Sequence, residues 1–364
     1  MNPLALHDFH HLLGSRFLEV NGLEVVDHYG DIVAEHTALR QTVGLLDLGF
    51  RGRLCLLGAD RKSFLNGQVT NNVKDLAVGR GCYAALVTAK GKMESDLNIY
   101  CLENELLLDF EPGLTAAVQA RLEKFIIAED VQTADVAPHY GLLSLQGPGA
   151  AAVLQTLSLP VPSPALAVHA LPHAEWGEIY VTNQPRLGGA GFDLFFPAAA
   201  LPAAAETLLT DVRASGGLAC GWSALEIARI EAGLPRFGAD MDNSTLPPEA
   251  GLDSRAVSYS KGFYIGQEVI ARIRTYGQVA RALRGLRLPD ELAALPKKGD
   301  KLLHDGKEVG FITSAAVSPT LKANIALGYV RKEANAPGTR LQLQTPTAPR
   351  PVLIVPLPFV ATGP

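Results

Sequence analysis

From Arg281 onward the chain leaves itself little room for anything but short β-strands. Five apolar, β-branched segments, at residues 283–288, 302–304, 309–313, 325–330 and 339–343, are cut apart by Lys298-Gly299-Asp300, Asp305-Gly306 and Pro337-Gly338. Turn residues at such close intervals stop any helix before it gains three turns. About 80 residues of this kind form a small barrel or sandwich. The proline-rich stretch after Thr345 is expected to pack extended against the body.

The preceding 280 residues read differently. Apolar positions at helical spacing mark residues 4–13, 114–124, 203–215 and 221–233. Asn21-Gly22 between two apolar runs is a hairpin signal. Residues 43–57 (VGLLDLGFRGRLCLL) read as a strand interrupted by glycines, and Asp60 as the cap of the helix that follows. Strands flank the turn Ala89-Lys90-Gly91-Lys92, and a second unit of strand, helix, strands and helix begins near Tyr140. This order fits an α+β architecture with antiparallel sheets better than a doubly wound parallel one. The expected divisions are 1–139, 140–275, a barrel at 276–350 and a tail at 351–364. These divisions leave room for lobes to interleave in space.

Composition excludes several classes. The formal net charge is −5, whereas a general nucleic-acid binder usually carries a basic surplus. Cys55, Cys82, Cys101 and Cys220 are scattered without a CxxC pair, so no zinc site is expected. The histidines show no HExxH spacing, and no metal is assigned. No apolar run reaches the length of a membrane span, and residues 1–17 lack the pattern of a secretory signal, so the expected location is the cytoplasm. No P-loop, dinucleotide fingerprint or nucleophile elbow is present.

The most distinctive segment is residues 261–272, KGFYIGQEVIAR. Two glycines bracket an aromatic pair, and a lysine and a polar Gln-Glu step flank them. Such a segment serves equally as a glycine-shaped turn joining domains or as a ligand-contacting loop. This run resembles the Lys-Gly-Cys-Tyr-x-Gly-Gln-Glu signature of the YgfZ branch of the glycine-cleavage T-protein superfamily. Gly58-Ala59-Asp60 through Phe64-Leu65-Asn66-Gly67, Thr70-Asn71-Asn72, Leu145-Gln146-Gly147-Pro148 and Arg229-Ile230-Glu231-Ala232-Gly233 resemble further family elements in the same order.

The resemblance implies a three-lobed cloverleaf of the T-protein type with a C-terminal small β-barrel, and tetrahydrofolate or a derivative as ligand. It further implies an accessory or regulatory role in iron–sulfur protein maintenance, with iron–sulfur client proteins as partners. The alternative it carries is a folate-dependent aminomethyl- or methyltransferase. Under either reading the resemblance implies that Tyr83, Asp96, Arg229, Lys261 and Tyr264 contact the folate, and that Asp96 is catalytic only if the protein is an enzyme. Asp96 reads otherwise as a surface carboxylate at a strand end, and Tyr83 as a core aromatic. Arg229 suits either a folate glutamate tail or an ion pair across domains. Three positions depart from the family pattern. Phe263 replaces the signature cysteine, Gly189 stands where transferases place a pterin-contacting glutamate, and Ser95 precedes Asp96 where two aspartates are usual. A phenylalanine offers no thiolate for metal or redox chemistry.

Overall fold

The computed structural model describes residues 2–346 and 348–361. Two helix-backed sheets face each other, and a closed barrel sits beside them. The five-stranded sheet is antiparallel, in the order Arg80–Val87, Met93–Cys101, Leu106–Phe110, Gly52–Leu57, Gln132–Asp135. The six-stranded sheet runs Val168–His173, Gly177–Asn183, Gly191–Pro197, Tyr140–Gln146, Gly44–Asp47, Leu218–Ala219, the last pair being parallel. This is the α+β, barrel-ended architecture expected from the sequence.

Strand alternation explains the layering. Leu54, Leu56, Leu97 and Ile99 point outward under the helices Arg61–Gln68 and Thr115–Glu123. Leu143, Leu145, Leu194 and Phe196 do the same under Ala150–Thr156 and Leu201–Ala214. The opposite faces meet each other, where Cys55, Tyr100 and Leu107 of one sheet pack with Leu142 and Phe195 of the other. Each sheet thus buries both faces.

Residues 43–57 do not form one interrupted strand. Leu48–Arg51 breaks the run, so Gly44–Asp47 joins the six-stranded sheet and Gly52–Leu57 the five-stranded one. The second sheet therefore draws a strand from the sequence region before residue 139. Nor is the stretch after residue 350 a tail lying on the body. Arg350–Val355 pairs with both Arg340–Leu343 and Arg281–Arg287 and closes the six-stranded barrel. Asp60 starts its helix without a side-chain cap, because its carboxylate accepts the Asp130 N–H at 2.9 Å instead. The Asn21-Gly22 hairpin forms as its turn chemistry requires, with φ of 51° and 84° at the two positions.

The helix Trp222–Glu231 is the hub. It packs on the helix Ile32–Gln41, on the strand Leu23–His28 and on barrel strand Lys307–Ser318. Its last residue, Glu231, is fully buried. One carboxylate oxygen accepts from His36 at 2.9 Å and Arg40 at 3.1 Å, and the other from Ser318 of the barrel. Burial alone would push this carboxyl up, but the hydrogen bonds from His36 and Ser318 and the charge of Arg40 hold it down at about 2.

A depressed pKa sets the sign of the pH effect. Stability from Glu231 is complete above its unfolded value of 4.5 and is lost as pH falls towards about 2. Glu231→Gln is expected to cost about 2–4 kcal/mol at pH 7, because it leaves buried donors facing a neutral amide. Urea unfolding at pH 7 and pH 3 checks this, with the difference between parent and variant shrinking at the lower pH.

Candidate functional site

At one end the two inner sheet faces separate, and the hub helix roofs the gap. The cleft has a volume of about 110 Å³. Phe50, Trp222 and Leu225 form its apolar wall. Phe50 and Trp222 meet edge to face at 5.6 Å.

Asp96 lies on Met93–Cys101, on the face that looks into the cleft. The Tyr83 hydroxyl donates to its Oδ2 at 2.7 Å. Its Oδ1 is buried and, among the described residues, has no hydrogen-bond partner. An unpaired buried carboxylate oxygen costs free energy unless a donor arrives. Burial first, then the neighbouring Glu111 charge, push the Asp96 carboxyl up to about 6, against the opposing effects of Tyr83 and Arg51. The Tyr83 phenol rises far above its usual range through burial and then the Asp96 charge, so it stays a donor.

The floor is an ion network drawn from every lobe. Arg51 donates to Asp109 and Glu111, each at 2.6 Å. Arg186 reaches across from the other sheet to Asp109 at 2.9 Å and also holds Asp193. Arg229 uses all its donors: Glu226 at 2.7 and 3.2 Å, Leu234 O at 3.3 Å, Ser314 of the barrel at 2.8 Å, and Asp240. It borders the cleft but has no donor to spare for a ligand carboxylate. The ion-pair reading of Arg229 describes its contacts better than the tail-anchor reading does.

Arg236 is the more available cation. It pairs with Glu226 at 2.9 Å and touches Glu111 at 3.4 Å, stays partly exposed, and lies 4.7 Å above the Trp222 ring centroid. Arg51, Glu111, Arg186, Trp222, Glu226 and Arg236 were not singled out from the sequence. The one available signal was Arg236, which directly follows the helix-ending Gly233-Leu234-Pro235.

The structure brings Tyr83, Asp96 and Arg229 to this region, and places Lys261 and Tyr264 elsewhere. Lys261 is buried, and its ammonium donates to the carbonyls of Asn66, Val69 and Asn71, the last two at 2.7 Å. Burial lowers its pKa to about 8. Tyr264 is 1% exposed and packs against Ala85, Val87 and Met93. Both side chains knit the segment onto the five-stranded sheet, a placement that departs from the folate contacts expected of them. Gly266 makes that docking possible: its φ is +84°, and a Cβ would lie 2.5 Å from Thr88 O.

Phe263, by contrast, is 80% exposed. Neither Cys82 nor Cys220 lines the cleft; Cys220 is buried, and burial pushes the Cys82 thiol up to about 12. Gly189 lies in the turn before Gly191–Pro197 and offers no side chain, and Arg186 lines the cleft on that side. Among the described residues no cluster of His, Cys, Asp or Glu is arranged to hold a metal ion, and no helix is long and apolar enough to cross a membrane.

Known proteins agree with this architecture along its whole length. The family model for the GCVT N-terminal domain matches residues 6–261, and that for the glycine cleavage T-protein C-terminal barrel domain matches residues 281–361. An aminomethyltransferase of Geobacillus kaustophilus is 32% identical over 352 residues, covering 95% of each chain. One from Saccharopolyspora erythraea is 31% identical over 358 residues, covering 97% of this chain and 96% of its own. The crystal structure of glycine cleavage system aminomethyltransferase T from Bartonella henselae superposes with a TM-score of 0.89 at 26% identity, covering 99% of this chain and 98% of its own.

Two stability measurements separate the roles of these residues. Asp96 is held at about 6 against an ordinary 3.8, so its ionisation opposes folding. That cost is absent below about pH 4 and complete above about pH 6. Asp96→Asn is expected to stabilise the protein at pH 8 by up to about 3 kcal/mol, and not at pH 4. Lys261→Met is expected to cost about 2–4 kcal/mol, because three carbonyls lose a charged donor. Denaturant titrations of both variants at the two pH values read this directly.

Proposed function

The chain belongs to the glycine cleavage T-protein family, and on that premise we propose that it binds tetrahydrofolate in the cleft beside Asp96 and transfers a one-carbon unit to it. The observation that carries this reading is the unpartnered Oδ1 of Asp96. A carboxylate oxygen kept buried, fixed through its twin by Tyr83 and open to an aromatic-walled cleft suits an N–H donor on a flat heterocycle. Phe50 and Trp222 supply the wall, and Arg236 at the rim supplies positive charge for an anionic tail.

When bound, tetrahydrofolate supplies the amine nitrogen that takes up the one-carbon unit. Asp96 then has two tasks: to orient that amine through Oδ1, and to stabilise positive charge that develops beside it. Both require the ionised carboxylate. Tyr83 fixes the carboxylate's rotation, and its high pKa keeps the hydroxyl proton in place. The floor network holds its own charges in fixed pairs, which keeps the cleft preorganised.

A second reading draws on the segment at residues 261–272: a folate-binding accessory factor serving iron–sulfur proteins. Exposed Phe263 gives that reading a contact surface but no cluster ligand. The named relatives support the transferase reading more strongly.

Anaerobic calorimetric titration with tetrahydrofolate is the first test. Parent protein is expected to bind saturably, with Asp96→Asn and Arg236→Ala each about tenfold weaker or more. Absence of binding by folded parent would defeat both readings. Transfer is then measured as methylenetetrahydrofolate formed from an aminomethyl donor. The rate is expected to rise with pH through an apparent pKa near 6, following Asp96, and to vanish in Asp96→Asn. Binding without any turnover would favour the accessory role.

A further inference from the structure

The two sheets separate a second time, at the far end of the strand that carries Asp96. Leu102, six positions along from Asp96 and roughly 20 Å away, lines a cavity of about 250 Å³ that shares no residue with the cleft. Leu107 and Cys55 complete its wall on the five-stranded sheet. The other wall is aromatic. Tyr180 and Phe195 are cross-strand partners, so their side chains stand side by side on one face. Tyr140 joins them with its ring centroid 5.6 Å from that of Tyr180, tilted by 56°. Phe195 is buried, while both tyrosines are partly exposed and mark the mouth.

One carboxylate enters this aromatic setting. Glu105 sits in the turn between Met93–Cys101 and Leu106–Phe110, half-buried at the cavity edge. Among the described residues it has no cationic partner. Burial and then the Glu105 charge raise the Cys55 thiol; burial comes first at the Tyr140 and Tyr180 phenols too, where the charge of exposed Glu178 and then that of Glu105 add to it. Arg53 also borders the cavity; its terminal nitrogens are committed elsewhere, while its buried Nε has no hydrogen-bond partner among the described residues. Its guanidinium donates to the carbonyls of Leu48, Gly49 and Ala137, and faces Asp109, Asp47 and Asp135.

An anion here would meet Glu105, and an uncharged apolar guest would bury that carboxylate without a counter-charge. A cation with an apolar body satisfies both features, since aromatic faces attract cations and shelter hydrocarbon. We propose that this cavity is a second binding site, for a small organic ammonium whose charged head lies between Glu105 and the two tyrosine rings and whose body lies against Phe195. The site is independent of the folate cleft.

The test is calorimetric titration of the full chain with benzyltrimethylammonium chloride at constant ionic strength, with benzyl alcohol as the uncharged comparison. Parent protein is expected to bind the ammonium saturably and the alcohol at least about tenfold more weakly. Glu105→Gln and Tyr180→Leu are each expected to weaken ammonium binding about tenfold, while Tyr180→Phe, which keeps the ring, retains it. Asp96→Asn is expected to leave it unchanged. Thermal melts confirm that each variant is folded. Failure of folded parent to bind, equal binding of the alcohol, indifference to Glu105→Gln, or loss on Asp96→Asn would each overturn the assignment.

Discussion

Charge that is buried must be matched where it stands, and this rule organises the centre of the molecule. Arg51, Arg53 and Arg229 are buried, and Arg186 nearly so. Removing a guanidinium from water costs several kcal/mol unless carboxylates and carbonyls replace the lost hydration. The matching groups come from different lobes. Arg186 of one sheet meets Asp109 of the other, and Arg229 of the hub helix meets Ser314 of the barrel. Separating any lobe would strand charge in a low-dielectric interior. The cleft inherits its rigidity from that penalty rather than from the apolar contacts alone. The network leaves two charged groups incomplete: Arg53, whose Nε has no partner, and Asp96, with one oxygen held by Tyr83 and the other unmatched among the described residues.

Much of this was legible in the sequence where local rules decide the outcome. The Asn21-Gly22 hairpin, the hub helix ending at Gly233, and the barrel's turns at Asp305-Gly306 and Pro337-Gly338 all follow from backbone preferences of a few adjacent residues. Asp96 and Tyr83 were visible through the strand–turn–strand that carries both, and its register, with Tyr83 opposite Asn98 and Asp96 opposite Ala85, makes them diagonal neighbours on one face. What escaped depended on distant partners. Nothing within residues 43–57 says that its two halves belong to different sheets, because each half is apolar enough for either. The strand at Arg350–Val355 was obscured by Pro351 and the prolines flanking it; Pro351 stands at the start of the strand, before its pairing with Arg281–Arg287, where a missing N–H is tolerated.

The segment at residues 261–272 shows the same limit in reverse. Its composition suited a ligand loop and a structural staple equally well. The deciding fact is that three carbonyls, from Asn66, Val69 and Asn71, converge on Lys261, and no local pattern encodes that convergence. Arg236 and Glu111 escaped for a related reason: isolated charges in sequence acquire meaning only when folding places them around Trp222 and Asp96. Relatives named aminomethyltransferase share the full length of the chain. Arg186, three residues before Gly189, gives the cleft a guanidinium on that side.

The path of the backbone between the two sheets has a consequence for how the molecule assembles. All five strands of one sheet lie between Gly52 and Asp135, whereas the other sheet must join Gly44–Asp47 to Tyr140–Gln146 and Leu218–Ala219. The first is in effect a self-contained insert within the second. Arg80–Val87, Met93–Cys101 and Leu106–Phe110 pair as local hairpins, and joining Gly52–Leu57 to Gln132–Asp135 draws Asp47 and Tyr140 towards each other. A long loop closure thereby becomes a short one. During synthesis the insert emerges complete before most of its host, and it acts as the template on which the host sheet closes.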